Sequence, residues 1–150
     1  RRARTLALAR SLPMIESAAN RAATRSVPAG EKGPGMARIL LVDEDAATRT
    51  ALRTLFEEEG YDVAEARDAR AALDELRGSR RTYVALVDLS LPHMMGNVVL
   101  RELDGDRALA RRHAYVATGT SRPRLAPDAI EALERLQLPF ITKPYDLASL

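Results

Sequence analysis

The sequence has no cysteine and no tryptophan, and aromatic residues make up only 4% of its 150 positions. The absence of cysteine excludes a disulfide scaffold, a thiolate zinc site and a cysteine nucleophile. No apolar run approaches the roughly 18 residues of a membrane-spanning helix, so we expect no membrane span and a cytoplasmic location. Hydrophobic residues nevertheless make up 46% of the chain, which is enough for one core of mainly aliphatic side chains.

Charge is distributed unevenly along the chain. Residues 1–35 contain seven basic and two acidic residues, a net charge of +5, whereas the remaining positions contain 16 basic and 19 acidic residues, a net charge of −3. The positive charge therefore belongs to the N-terminal segment. Because a nucleic-acid-binding domain is expected to carry a basic patch of its own, we expect no direct nucleic-acid binding by the mildly acidic remainder.

The N-terminal segment ends in a turn-rich stretch, since residues 26–35 read Ser-Val-Pro-Ala-Gly-Glu-Lys-Gly-Pro-Gly. Such a composition is typical of a linker, and Pro13 interrupts any longer helix before it. We predict a basic tail over 1–35 that is disordered or loosely helical, and a folded domain over 36–150, with Met36 as a native initiator or the tail as the end of an upstream region. A targeting signal and a nucleic-acid-binding arm are the alternatives for the tail.

From residue 37 onward, strand-like and helix-like segments alternate. The predicted strands are Ile39–Val42, Tyr61–Ala66, Tyr83–Val87, Ala114–Thr118 and Phe140–Thr142. The predicted helices are Ala46–Glu59, Ala69–Leu76, Asn97–Leu103 and Pro127–Leu136. Short connections between alternating strands and helices predict a parallel sheet with right-handed crossovers. We expect a flavodoxin-like (βα)5 doubly wound fold of strand order 2-1-3-4-5, with a truncated fifth helix after Asp146.

Polar side chains occur where the predicted strands end. Asp43 and Glu44 follow the first strand, Asp88 the third, Thr118 lies at the end of the fourth, and Lys143 follows the fifth. Any one of them alone is more simply a helix cap or an exposed loop residue. Because ligands bind beyond the carboxyl edge of a parallel sheet, the four strand ends together predict one functional crevice.

The motifs around these residues resemble the signatures of response-regulator receiver domains, the CheY-like phosphorylation switches of bacterial two-component systems. Residues 42–45 read Val-Asp-Glu-Asp and resemble the acidic motif after the first strand. Residues 88–96 read Asp-Leu-Ser-Leu-Pro-His-Met-Met-Gly and resemble the phosphoacceptor loop. Thr118-Gly119 and Lys143-Pro144 resemble two further signatures, and Phe140 occupies the aromatic switch position.

The resemblance implies that Asp88 accepts a phosphoryl group from a sensor histidine kinase or a phosphotransfer protein. Lys143 and Thr118 would contact the phosphoryl oxygens. Thr118 and Phe140 would then act as a switch that changes the face formed by helix 127–136 and the last strand.

The resemblance also implies a metal site. Asp43, Glu44 and Asp88 would form a trio of carboxylates whose mutual repulsion a divalent cation relieves. Ligands that are all oxygen favour Mg²⁺ or Mn²⁺. By resemblance, Glu44 and Asp88 would bind the metal directly, Asp43 would act through water, and the Ser90 backbone carbonyl would be a further ligand.

Several other functions are consistent with the same fold. A haloacid-dehalogenase-like phosphatase would carry a second aspartate at the position of Ser90. We therefore expect a phosphorylation switch that catalyses its own phosphotransfer and dephosphorylation, and not a turnover enzyme. A degenerate receiver that only binds proteins, the receiver portion of a hybrid histidine kinase, and that of a DNA-binding regulator remain alternatives. An output domain, an effector protein and a homodimer are the partners left open.

The sequence contains two histidines. His93 lies in the predicted loop beside Asp88, where an exposed position explains it. His113 precedes the fourth predicted strand and is interpreted as a surface residue. We expect no direct chemical role for either.

Overall fold

The computed structural model describes residues 13–18, 20–21, 38–90 and 95–142. Within these ranges, five strands form one parallel sheet in the order β2-β1-β3-β4-β5. The strands are β1 (Arg38–Val42), β2 (Val63–Ala66), β3 (Tyr83–Asp88), β4 (Ala114–Gly119) and β5 (Phe140–Thr142). The predicted flavodoxin-like fold class and strand order are confirmed.

The helices confirm the four predicted segments and add two more. They are α1 (13–18 and 20–21), α2 (Ala46–Glu58), α3 (Ala69–Gly78), α4 (Met95–Gly105), α5 (Arg107–Arg112) and α6 (Pro127–Leu136), with a 3₁₀ turn at Arg122–Arg124. No helix among the described residues is long and apolar enough to cross a membrane. The expected truncated fifth helix falls after residue 142, outside the described residues.

Side-chain hydrogen bonds explain where α2 and α3 begin. Asp45 is the N-cap of α2, and its carboxylate accepts a hydrogen bond from the Ala47 N–H at 3.3 Å. Asp68 is the N-cap of α3 and accepts from the Ala71 N–H at 2.8 Å. Each aspartate satisfies one of the backbone donors that a helix leaves unpaired in its first turn.

The strands bury side chains on both faces of the sheet, because successive side chains in a strand point to opposite sides. Leu40 of β1 and Ala85 of β3 belong to the apolar cluster that contains buried residues of α3, α4 and α6. Ile39 and Val84, one residue away, belong to the cluster on the other face, with Leu52 and Phe56 of α2. Burial on both sides explains the continuous apolar runs of β1 and β3.

The stretch around α1 is more ordered than the disordered or loosely helical tail that the sequence predicts. Residues 13–18 and 20–21 are helical, and Ile15 and Ala18 are 0% and 2% exposed within the apolar cluster on the α2 face. Pro13 is the first residue of this helix that the structure describes. The apolar pattern of this stretch is too short for the sequence alone to distinguish a packed helix from a tail.

His113 is buried, so its interpretation as a surface residue is wrong. It is 3% exposed, its Nδ1 accepts a hydrogen bond from the Tyr83 N–H at 2.9 Å, and its Nε2 lies 2.7 Å from the Leu76 carbonyl oxygen. These contacts join the end of α3 to the starts of β3 and β4. One imidazole ring thus pairs with the N–H at the start of β3 and with a carbonyl oxygen in the last turn of α3. His93 lies outside the described residues.

Candidate functional site

Three of the predicted site residues meet at the carboxyl edge of the sheet. Asp43 follows β1, Asp88 ends β3 and Thr118 lies at the end of β4, and these side chains are all buried. Asp88 and Thr118 are register partners, and the Leu89 N–H donates to the Thr118 carbonyl at 2.8 Å. Asp43, Asp88 and Thr118 line one cavity of about 10 Å³, roughly the space that one water molecule needs.

Each of the two buried aspartates is held by a local turn of the same kind. The Oδ1 atom of Asp43 accepts a hydrogen bond from the Asp45 N–H at 2.9 Å. The Oδ1 atom of Asp88 accepts from the Ser90 N–H at 3.0 Å and from the Ser90 hydroxyl at 2.7 Å. An aspartate that bonds to the backbone two residues later forms an Asx-type turn. The turn fixes one oxygen of each carboxylate at the point where the strand ends.

Glu44 does not join these two acids. Its side chain is exposed, and no group of three or more histidine, cysteine, aspartate or glutamate side chains among the described residues is arranged to hold a metal ion. Asp43 directly follows β1 and is buried, whereas Glu44 lies in the bend after it and is exposed. The structure therefore brings together two of the three predicted carboxylates, Asp43 and Asp88.

The donor set at this edge fits a hard cation. Asp43 and Asp88 contribute carboxylate oxygens, and Ser90 is held against Asp88 by two hydrogen bonds. Oxygen ligands are those that Mg²⁺ prefers, and Mg²⁺ usually keeps several waters beside one or two carboxylates. Two buried acids are therefore compatible with such an ion.

Arg49 fixes the acidic loop and was not predicted from the sequence. Its Nη1 donates to the carbonyl oxygens of Asp43 at 2.7 Å and Glu44 at 3.1 Å, while its Nε donates to Glu65 Oε1 at 3.3 Å. Glu65 lies in β2, the neighbour of β1. The glutamate within the four-residue strand β2 was the signal in the sequence for this ion pair. Arg49 and Glu65 are 16 positions apart, however, and no local pattern predicts that they pair.

Phe140, at the predicted switch position, is half-buried and packs against the cluster on the α3 face. Its ring lies against Gly119, where an added Cβ would be 3.1 Å from Cζ of the ring. Thr118 pairs with Ile141, the residue after Phe140. The predicted switch residues are thus neighbours on adjacent strands.

Two predicted features fall on residues that the structure does not describe. Lys143 and Pro144, interpreted as the fifth-strand signature, lie beyond residue 142, and residues 91–94 of the loop after Asp88 are also outside the described ranges.

Comparison with known proteins decides the family. The model of the response regulator receiver domain matches residues 39–150. The chain belongs to this family. Receiver domains are phosphorylation switches of two-component systems, and acceptance of a phosphoryl group is their common function. This confirms the resemblance drawn from the four strand-end motifs.

The curated relatives are longer proteins that match this chain over part of their length. The aerobic respiration control protein ArcA of Escherichia coli strain K12 is 33% identical over 108 residues, which is 72% of this chain and 42% of that protein. The protein-glutamate methylesterase/protein-glutamine glutaminase 1 of Anaeromyxobacter dehalogenans is 33% identical over 109 residues, 71% of this chain and 29% of that protein. The chain spans less than half the length of these relatives.

Solved structures confirm the fold. A CheY-like receiver domain from Methanospirillum hungatei superposes with a TM-score of 0.61 at 26% identity, covering 75% of this chain and 86% of that one. The response regulator TrrA from Thermotoga maritima, solved in complex with Mg²⁺-BeF, superposes with a TM-score of 0.57 at 21% identity, covering 76% and 92%.

Proposed function

We propose that Asp88 is the phosphoacceptor of this receiver domain. The supporting observation is that Asp88 shares one small cavity with Asp43 and Thr118, at the ends of three adjacent strands. In the proposed transfer, an oxygen of Asp88 attacks the phosphorus of a phosphohistidine. The phosphorus–oxygen bond forms, the phosphorus–nitrogen bond breaks, and the imidazole of the donor leaves with the electron pair.

We further propose that Asp43, Asp88 and the Ser90 backbone carbonyl hold Mg²⁺, or Mn²⁺ in its place, with Glu44 nearby in the same loop. When bound, the cation neutralises part of the charge on the acids and the phosphoryl oxygens. The two Asx-type turns support this proposal, because they orient both carboxylates before any cation arrives. TrrA, a structural neighbour, is described in complex with Mg²⁺-BeF.

Thr118 and Lys143 are proposed to contact the oxygens of the transferred group. Thr118 lies in register with Asp88 and faces the same cavity. Lys143 is the residue next to Thr142, the last residue of β5. Movement of Thr118 towards a phosphoryl group would change the packing beside Phe140 and Gly119, which is the proposed route to the surface formed by α6 and β5.

Receiver domains act together with histidine kinases and output domains. We propose a sensor histidine kinase or a phosphotransfer protein as the donor for Asp88. The output is open, because the relatives combine similar receivers with different activities, one a respiration control protein and the other a methylesterase. A receiver joined to a further domain, a partner effector and a homodimer are the candidate arrangements.

The phosphoacceptor is tested by intact-mass measurement after incubation with acetyl phosphate and Mg²⁺. We expect the wild-type chain to gain one phosphoryl group and the Asp88→Asn variant to gain none. Asp106→Asn is the matched control, since Asp106 caps α5 through the Leu109 N–H at 3.1 Å and asparagine caps a helix equally well. Undiminished labelling of Asp88→Asn would overturn the assignment, and folding of each variant is checked by circular dichroism.

A further inference from the structure

The short loop between β1 and α2 carries the first of the two buried acids. Three residues, Asp43 to Asp45, connect the strand to the helix. The carbonyl oxygens of Asp43 and Glu44 both accept hydrogen bonds from Nη1 of Arg49, at 2.7 Å and 3.1 Å. Backbone oxygens that leave a sheet need new donors, and here one guanidinium serves two of them. The position of the Arg49 side chain therefore determines the path of the loop.

A neighbouring strand holds the guanidinium of Arg49 in turn. Its Nε donates to Glu65 Oε1 at 3.3 Å, and Glu65 lies in β2, which pairs with β1. The side chains of Arg49 and Glu65 are only 15% and 28% exposed, so this ion pair is screened less than a pair on the open surface. Because a guanidinium is planar and its N–H donors have fixed directions, it can serve the glutamate and both carbonyl oxygens at once.

Arg53, one helical turn further along α2, uses the second oxygen of the same glutamate. Its Nη1 donates to Glu65 Oε2 at 2.6 Å, its Nη2 to the Val63 carbonyl at 3.2 Å and its Nε to Glu57 at 2.8 Å. These acceptors belong to β2 and to α2 itself. The two arginines therefore share a helix, a charge and a partner, and they differ in the contact with the acidic loop.

The charge of Arg49 and its contacts would act on a nearby cation in opposite directions. A positive charge beside a cation site repels the ion, and Glu65 offsets only part of that charge. The hydrogen bonds to the loop have the opposite effect. They fix the backbone from which the Asp43 carboxylate projects, and that carboxylate is held further by the Asp45 N–H at 2.9 Å. A ligand that is ordered before the ion arrives loses little conformational freedom on binding.

We propose that Arg49 is a positioning residue of the metal site, and that Glu65 holds it in place. This inference rests on the proposed function, in which Asp43 and Asp88 bind Mg²⁺. Arg49 acts through the backbone of the loop and does not touch the ion, and residues behind metal ligands commonly set the affinity of a site in this way. Loosening the loop weakens Mg²⁺ binding and slows labelling of Asp88, which depends on charge neutralisation by the cation.

A Mg²⁺ titration of the folded full chain, followed by the NMR shifts of the Asp88 and Ser90 amides, tests this role. Arg49→Lys keeps the charge but loses the planar set of donors, and we expect its dissociation constant for Mg²⁺ to rise about tenfold. Arg53→Lys is the matched control, because it makes the same exchange one turn away from the loop contact. Its dissociation constant should equal that of the wild type.

Arg49→Gln separates the effect of charge from the effect of position. Removal of a positive charge alone would tighten Mg²⁺ binding, whereas loss of the loop contacts weakens it. We expect weaker binding than in the wild type. Since the dissociation constant is measured on folded protein, a general loss of stability does not account for such a change.

Hydrogen–deuterium exchange of the metal-free chain gives a second readout. The Asp45 amide, which is bonded to the Asp43 carboxylate, should exchange faster in Arg49→Lys than in the wild type and in Arg53→Lys. The Ser90 amide, bonded to Asp88 at the end of β3, should exchange at the wild-type rate in all three. This pattern would show that the loop is loosened before any metal is added.

Three results would overturn the proposal. Equal dissociation constants in Arg49→Lys and the wild type would remove Arg49 from the metal site and leave the assignment of Asp88 standing. Tighter binding in Arg49→Gln would show that charge outweighs position. A wild-type chain that neither binds Mg²⁺ nor gains a phosphoryl group in the intact-mass measurement would overturn the proposed function, and this inference with it.

Discussion

The Cα of Gly96 lies against the backbone carbonyl of Asp88 so closely that an added Cβ would clash with that oxygen. The same Cβ would be 2.8 Å from Cδ2 of Leu89. Gly96 is the second residue of α4, so the start of this helix packs directly on the end of β3. Any side chain at position 96 must therefore displace either the helix or the strand end that carries Asp88.

The first prediction follows from this contact. Gly96→Ala should lower the free energy of unfolding by about 1–3 kcal/mol, the usual cost of overpacking, and should slow labelling of Asp88 by acetyl phosphate. Gly78→Ala is the control, because nothing lies within 4 Å of a Cβ at that helical glycine. It should be neutral or slightly stabilising, since alanine favours a helix. Equal urea midpoints for the two variants would contradict the steric argument.

The second prediction concerns the two buried acids. Asp43→Asn should raise the melting temperature without metal, because it relieves repulsion between Asp43 and Asp88. It should also abolish most of the rise that Mg²⁺ produces, a rise equivalent to about 1.4 kcal/mol at roughly ten times Kd. Glu44→Gln changes an exposed side chain and should have a smaller effect on both quantities. A larger loss of the Mg²⁺ response in Glu44→Gln than in Asp43→Asn would contradict the prediction that Asp43 is the more important of the two acids for Mg²⁺ binding.

The third prediction tests the proposed switch. In Gly119→Ala the new methyl group would lie 3.1 Å from Cζ of Phe140, so the ring must shift slightly and is hindered from turning inward. We expect normal phosphorylation but smaller NMR shift changes in β5 and α6 on addition of beryllofluoride and Mg²⁺. Gly105→Ala, with nothing within 4 Å of its Cβ, serves as the control. NMR shift changes in Gly119→Ala as large as those of the wild type would show that movement of the Phe140 ring is not part of the switch.

The fourth prediction concerns pH and His113. Burial lowers the pKa of His113, and the nearby charge of Arg112 lowers it further, against the opposing effect of the hydrogen bond to Leu76. Since Nδ1 accepts the Tyr83 N–H, the ring is neutral in the folded state. The unfolded chain takes up a proton near the ordinary histidine pKa of about 6.5 while the folded chain does not. Stability from this group is therefore complete above that pH and falls as pH drops below it.

Urea unfolding at pH 7.5 and 5.5 measures this effect. His113→Asn should be less stable at pH 7.5 and should lose less stability on acidification than the wild type. His93→Asn removes the other histidine of the chain and should retain the wild-type pH dependence. The same loss on acidification in His113→Asn and in the wild type would show that carboxylates alone account for it.

Elements with local signals were predicted well from the sequence. Pro127 in the first turn and the apolar spacing behind it gave α6 its observed bounds, Pro127–Leu136. Helix α5 was missed, because of its six residues only Leu109 is buried and three are arginine. Its position depends on the Asp106 cap and on the packing of Leu109, and neither interaction leaves a periodic pattern in the sequence.

At the site too, features with a local signal in the sequence were predictable and features without one were not. The convergence of Asp43, Asp88 and Thr118 was predictable, because parallel strands end at one edge of a sheet. Two features were not predictable from the sequence: the direction of the Glu44 side chain and the hydrogen bond from Arg49 to the Glu44 carbonyl. Both depend on the conformation of the loop that follows β1. Burial of Ile15 was equally hidden, because it depends on packing with strand residues that are distant along the chain, such as Ile39 and Val84.

The register of β3 against β4 determines where residues can be inserted into or deleted from this chain. Asp88 faces Thr118 only because every preceding pair from Val84↔Ala114 onward is aligned. Deleting one residue within β3 would turn each side chain on one side of the deletion to the opposite face and separate the two site residues. An insertion beside the exposed Arg80, at the opposite edge of the sheet, leaves that alignment intact. Insertions and deletions are therefore tolerated in the turn before β3 and not within it.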